Sequence, residues 1–377
     1  MKSIDTEFVI EYPQKYDLHR VPEAVLAVPF IGNILTVSML ADCSIYVPQL
    51  DKAFYGSICH IKKAYKRMFP YLNLNFNVVV DKLVDCSYSP LEKTSLFFTG
   101  GVDASSALVE TAARHPCLVN IWGGDVNTND SATHEDLENY LNCLTRNLDL
   151  NYVFIKSNCR EIYDEGKITK SLLFRLKPWH NHGWWASIAH ILAMTTLLAP
   201  FAYLENIREH YIASSYDTKS SYFDANNDML LAAIKFCSLS LVPVDSELDR
   251  TDKVGKIIQY CKKRSLSMDF KVCWYRHAGC NCSKCEKCYR TICDILINHG
   301  DPNQFGFAFD KESYREMYRY LSDNYVNMAF WKPIQNKFRE DSTFWSQNEN
   351  IAWILDFNFN RPKVFLAKVM SVFRKII

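Results

Sequence analysis

The stretch Ser95-Leu96-Phe97-Phe98-Thr99-Gly100-Gly101-Val102-Asp103-Ala104-Ser105 constrains the fold more than any other in the chain. It reads as a short apolar strand, a tight turn and the start of a helix. Ala104, Ala107, Leu108, Thr111 and Ala112 fall on one helical face. Asp103 suits the helix start, where a carboxylate accepts N–H groups that lack an intrahelical partner. Two adjacent glycines let the backbone turn sharply with no side chain in the way. The amides of such a loop and of the helix behind it converge on a small volume that favours an anion, phosphate most often. A plain strand-to-helix turn has the same local pattern, so the loop alone does not fix a function.

From about Thr94 the chain alternates strand and helix. Cys117-Leu118-Val119-Asn120-Ile121-Trp122 reads as a buried strand followed by a Gly123-Gly124-Asp125 turn. Thr133 to Asn147 reads as a helix capped by Thr133, with Leu137, Tyr140, Leu141 and Leu144 on one face. Tyr152 to Ile155, Tyr211 to Ser215 and Leu239 to Pro243 read as further strands, and Thr251 to Lys263 as a helix capped by Thr251. The alternation predicts an α/β fold: an open parallel sheet with helices on both faces. Ligands of such sheets sit beyond the carboxyl ends of the strands. The glycine loop, the Trp122-Gly123-Gly124 turn and Ser214-Ser215 all fall at strand ends and can converge there.

Two flanking regions differ in rhythm. Residues 1–90 carry short apolar runs, at Phe8 to Ile10, Ala24 to Val28, Ile34 to Val37 and Ser44 to Val47, which read as strands punctuated by Pro, Gly, Asn and Asp. A helix from about Leu50 to Met68 and a strand from Asn75 to Val80 follow. The region is expected to be a β-rich accessory lobe. Residues 301–377 are aromatic and helical in pattern, leaving 91–300 as the central domain. The segment Arg361 to Ile377 is amphipathic and suits packing on its own domain, a membrane surface or a partner.

The formal net charge is +1, from 43 basic and 42 acidic side chains, which disfavours a nucleic-acid partner. Met1 to Glu7 has no apolar signal core. Trp184 to Leu204 is apolar enough to span a membrane, yet Ser187, His190, Thr195, Thr196 and Pro200 interrupt it, so a buried helix and no membrane span is expected. The 14 cysteines cluster at metal-ligand spacing or scatter, which predicts a reducing, cytoplasmic location. His180-Asn181-His182 has no nearby carboxylate or cysteine in sequence and reads as a polar loop.

Cys282, Cys285 and Cys288 form two overlapping C-x-x-C steps, and Cys273 lies upstream at the end of an expected strand. Four thiolates suit tetrahedral Zn²⁺ and leave it no open position, so the metal would be structural. Cys280 can replace Cys273 as the fourth ligand. Lys284, Lys287 and Arg290 would offset the thiolate charge.

Thr99-Gly100-Gly101-Val102-Asp103-Ala104-Ser105 resembles the S-G-G-x-D-S-[ST] loop of the N-type ATP pyrophosphatase (PP-loop) superfamily. Thr99 keeps the first hydroxyl; Ala104 loses the second. The C-x8-C-x2-C-x2-C spacing followed by Arg290 is similar to the zinc pattern of the 7-cyano-7-deazaguanine synthases, which carry it downstream of the loop as here. The resemblance covers Thr94 to Gly300 and points to a divergent relative with an adenine nucleotide alpha hydrolase-like fold. It implies that ATP and Mg²⁺ bind with the phosphates on Thr99, Gly100, Gly101, Val102, Asp103 and Ser105, and with adenine near Ile121 and Trp122.

A small-molecule or protein carboxylate would attack the α-phosphorus to give an acyl adenylate, and an amine or ammonia would then displace AMP. Asp103 would hold Mg²⁺ or cap the loop, and Ser214 would line the site. Lys253 resembles a superfamily lysine that opens a late helix and contacts phosphate or substrate; an exposed helix lysine fits the same position. Glutamine-hydrolysing relatives begin with a nucleophilic Cys after Met, and Lys2 stands there, so ammonia would be free. A tRNA-modifying enzyme and a non-catalytic nucleotide-binding relative are the alternatives. A homodimer is left open.

Overall fold

The computed structural model describes residues 7–72, 74–172, 183–215, 225–273 and 280–359. His180-Asn181-His182, the segment between Cys273 and Cys280, and Arg361 to Ile377 lie outside the described residues. The chain folds as two compact units: one holds residues up to Thr99 and Glu110–Glu247, the other Gly100–Val109 and Leu248–Ile377.

The first unit contains β1 (Ile10–Glu11), α1 (Glu23–Ala41), β2 (Ser44–Asp51), α2 (Lys52–Met68), β3 (Asn77–Val84) and β4 (Thr94–Phe97). After α3 (Val102–Thr111), whose residues are divided between the units, it resumes with β5 (Cys117–Trp122), α4 (Ser131–Leu148), β6 (Tyr152–Ser157) and α5 (Glu165–Leu172). It ends with α6 (His190–Thr196), α7 (Ala199–Glu205), β7 (Glu209–Ala213), α8 (Asp228–Ala233) and β8 (Ser240–Val244). Six strands form one sheet in the order β1-β6-β5-β4-β7-β8, parallel except for β1. The chain runs outward from β4 through β5 to β6, then returns to place β7 on the other side of β4. The order therefore reverses at β4, and its carboxyl end, from which the glycine loop departs, is the switch point where α/β sheets bind ligands.

The β-rich reading of the N-terminal region is corrected. Ala24 to Val28 and Ile34 to Val37 are not strands but parts of one helix, α1. Pro29, Gly32 and Asn33, read as punctuation, are buried inside it. Asn33 donates to Pro29 O at 2.8 Å and across to Ala193 O at 3.3 Å, which satisfies its amide within the core. A Cβ on Gly32 would lie 2.1 Å from Thr196 Oγ1, so this glycine permits α1 to approach α6 closely. The strands β2 and β3 do form, as a parallel pair crossed by α2. Buried residues of α1, β2 and α2 belong to one apolar cluster with those of β4, β5 and β6. Glu23–Ala41 and Trp185–Glu205 are both long and apolar enough to cross a membrane, yet 61% and 78% of their windows are buried within the chain. The latter is three helical pieces, opening with a wide π turn over Trp185–Ala189.

Two expected caps shift, by three and by two residues. Asp130, not Thr133, caps α4, and Asp249, not Thr251, caps the helix beginning at Arg250; each carboxylate accepts a main-chain N–H, from Thr133 and Asp252. The second unit holds the start of α3, α9 (Arg250–Arg264), α10 (Glu286–Ile297), α11 (Lys311–Asp323), α12 (Met328–Glu340) and α13 (Ser342–Ser346). Helix α11 opens with a capping box between Asp310 and Ser313. Cys273 ends an irregular segment that joins no strand among the described residues.

Candidate functional site

In the second unit, the glycine loop and α9 bring together charges far apart in sequence. Gly100 adopts a φ of 75°, the left-handed region where glycine is favoured, and this turn carries the chain into α3. Asp103 sits in the first turn of α3, where the helix dipole favours a carboxylate. Lys253 Nζ lies 3.1 Å from Asp103 Oδ1, and Arg250 Nη1 lies 3.5 Å from Asp103 Oδ2. Lys253 is 1% exposed, which removes the exposed-lysine reading. An ammonium buried this deeply needs an anion beside it, and Asp103 provides one.

A second carboxylate backs the cluster. Asp294, on the buried face of α10, accepts from Thr251 Oγ1 at 2.7 Å and stands 3.6 Å from Arg250 Nε. Arg250 Nη2 donates to Thr291 Oγ1 at 3.1 Å, one turn earlier on the same helix. Burial pushes the Asp294 carboxyl up to about 6, opposed by the Arg250 guanidinium and the Thr251 hydroxyl. Ser105 Oγ is fully buried with no hydrogen-bond partner. Ala104 and Val102 are buried, and Thr99 and Gly101 are half-buried.

The cysteine cluster lies in the same unit. Sγ atoms of Cys273, Cys282, Cys285 and Cys288 all fall within 4.8 Å of one another. Cys285 and Cys288 are 3.5 Å apart, and the pairs Cys273–Cys285 and Cys282–Cys288 are each 3.9 Å apart. Sulfurs bound tetrahedrally at about 2.3 Å stand about 3.8 Å from one another, so the four are placed as a metal such as zinc requires. Cys280 is exposed and outside the group. Cys285 caps α10 and Cys288 lies in its first turn, where the helix end favours thiolate. The hydrogen bond shared with Cys285, burial and the neighbouring sulfurs push the Cys288 thiol far up, a cost that a bound cation relieves.

Asn281 ties the site together: its Oδ1 accepts from the amides of Val272 and Cys273, and its Nδ2 donates to Phe270 O and Gly306 O. The residue before Val272, Lys271, donates its own N–H to Gly100 O at 2.8 Å. One irregular segment thus carries a cysteine of the cluster and a hydrogen bond to the glycine loop. Lys284 pairs with Glu316, and the Arg290 guanidinium stacks over Phe330 at 4.2 Å.

The remaining residues expected from sequence lie in the first unit. Ile121 is buried in β5. Trp122 stacks on His134 at 3.8 Å, has Lys156 over its ring and donates its N–H to Asn127 O, so local partners already engage the indole. Ser214, at the end of β7, shares a 2.7 Å hydrogen bond with Ser246, which donates to Asp228. Arg250, Thr291, Asp294 and Asn281 were not anticipated. Asp294 had a sequence signal, a carboxylate between the apolar residues Ile292, Cys293, Ile295 and Leu296 of one helix. Nothing in the sequence marks Arg250 off from other helix-start arginines. No protein-family model, curated protein or solved structure matches the chain.

Proposed function

We propose that the chain binds Mg·ATP at the loop from Thr99 to Ser105, cleaves it between the α and β phosphates, and activates a carboxylate for attack by an amine or ammonia. The observation that carries this reading is the buried Lys253 ammonium at Asp103, in the first turn behind the Gly100-Gly101 loop. A strand-to-helix turn with no ligand has no need of a cation drawn from a helix 150 residues away in sequence.

In the proposed reaction, a carboxylate oxygen of the substrate attacks the α-phosphorus. The bond to the α-β bridging oxygen breaks, and pyrophosphate leaves with that electron pair. An amine then attacks the acyl carbon, AMP departs, and the amine loses a proton. Lys253 and the loop amides would hold the phosphate oxygens and offset the charge that builds on the leaving group. Mg²⁺, when bound, would supply further charge neutralisation. Asp103 offers the hard oxygen donor such an ion needs, and its uptake would free Lys253 and Arg250 for phosphate. Zn²⁺ on Cys273, Cys282, Cys285 and Cys288 would serve structure, with cytoplasmic redox conditions keeping the thiols reduced.

The test is exchange of labelled pyrophosphate into ATP by zinc-loaded protein, run with pooled small carboxylates. Exchange that depends on a carboxylate, and that drops roughly 100-fold or more in Lys253→Ala, is expected. Nucleotide binding without exchange against every pool would move the assignment to a non-catalytic nucleotide binder. Failure to bind Mg·ATP at all would end both.

A further inference from the structure

Among the described residues, Arg250 is placed unlike the other cations of the cluster. Lys253 is enclosed and holds Asp103 at hydrogen-bond distance. Arg250 is 28% exposed, and its contacts to Asp103 and Asp294, at 3.5 and 3.6 Å, are too long for good hydrogen bonds. Only its bond to Thr291 is of ordinary length, at 3.1 Å. A guanidinium has five N–H donors, and here most of that capacity is unspent. Two carboxylates and a hydroxyl fix where the group points without saturating it. Its Nη1 faces the carboxylate in the first turn of α3, at the end of the helix where an anion is favoured.

We propose that Arg250 is a specific contact for the pyrophosphate end of the nucleotide, and that Thr291 and Asp294 of α10 are positioning residues that aim it. The inference rests on the adenylation reading and extends it to a residue that reading does not require. With no nucleotide bound, Asp103 and Asp294 hold the guanidinium between them. When phosphate oxygens arrive, the fork turns its free N–H groups to them, in the bidentate geometry that arginine offers and lysine does not. Thr291 holds Nη2 and the Asp294 carboxylate lies 3.6 Å behind Nε, so Nη1, on the Asp103 side, is the end presented.

Titration calorimetry on full-length, zinc-loaded protein tests this with three probes: inorganic pyrophosphate with Mg²⁺, Mg·ATP, and AMP. Arg250→Gln is expected to weaken pyrophosphate and Mg·ATP roughly 10- to 100-fold, the scale of lost hydrogen bonds to a charged group. AMP, which lacks the two outer phosphates, should bind within about twofold of wild type. Arg250→Lys should recover little of the loss. Asp294→Asn, which keeps an oxygen for Thr251, should retain full zinc content yet weaken pyrophosphate several-fold, again sparing AMP. A residue that only supports the fold would lower all three affinities together, and that pattern overturns the inference. So does pyrophosphate binding to Arg250→Gln within twofold of wild type. Wild-type protein that binds neither pyrophosphate nor Mg·ATP overturns the adenylation reading and this inference with it.

Discussion

His210 shows how a single side chain can set the acid limit of the fold. It lies in β7 with its ring 4.2 Å from Phe97, bonded through Nδ1 to Ser95 Oγ at 2.8 Å, while Nε2 is buried without a partner. Burial alone drives its pKa from 6.5 down to about 3. The unfolded chain takes up a proton near pH 6.5 and the folded chain does not, so the contribution to stability is present above that pH and is lost as pH falls toward 3. The slope expected from this one group is about 1.4 kcal/mol per pH unit. Urea unfolding from pH 7 to pH 4 should therefore be less steep in pH for His210→Leu than for wild type, whatever the variant's absolute stability. Parallel pH profiles would show that His210 is protonated in the folded chain or reaches solvent. The same arithmetic has the opposite sign for Asp294, whose raised pKa makes its burial most costly above about pH 6.

At the scale of elements, α1 carries the clearest lesson and a direct test. Its apolar runs are short, rich in Val and Ile, and broken by Pro29, Gly32 and Asn33, so periodicity alone could not separate buried strands from a buried helix. What decides is packing: Gly32 against Thr196, and the Asn33 amide closing on Pro29 O and Ala193 O. Thr196 and Ala193 lie about 160 residues away, beyond the reach of a local reading. Gly32→Ala should overpack this crossing and cost about 1–3 kcal/mol, read as a lowered Tm. Thr196→Ala should restore part of the loss in the double variant. If Gly32→Ala instead raises stability, as alanine in an uncrowded helix would, the close approach of α1 and α6 is wrong. The β4–loop–α3 element and the cysteine knuckle, by contrast, were legible because their signals are local: adjacent glycines at a strand end, and sulfurs three residues apart. The aim of Arg250 was not, since Thr291 and Asp294 lie 41 and 44 residues on.

For the whole molecule, the proposed metal would act on one unit and leave the other's core untouched. The four cysteines, α9, α10 and the glycine loop belong to the unit that includes Leu248–Ile377, and the six-stranded sheet belongs to the other. A ligand that binds only the folded form stabilises what it binds by mass action, and structural zinc does so strongly. Two features carry the effect from the sulfurs to the loop. Cys285 and Cys288 begin the helix whose Thr291 and Asp294 hold Arg250, and Cys273 ends the segment whose Lys271 amide bonds Gly100 O. Hydrogen exchange of the protein before and after chelation separates the two units. Amides of α10 and of the Gly100–Ser105 loop should lose protection together, while those of β5 and β6 keep theirs. Pyrophosphate affinity should fall with the first group. Loss of protection in α10 with the loop unchanged would mean that the thiolate centre supports only its own knuckle, and that neither the Lys271 hydrogen bond nor Arg250 transmits its state.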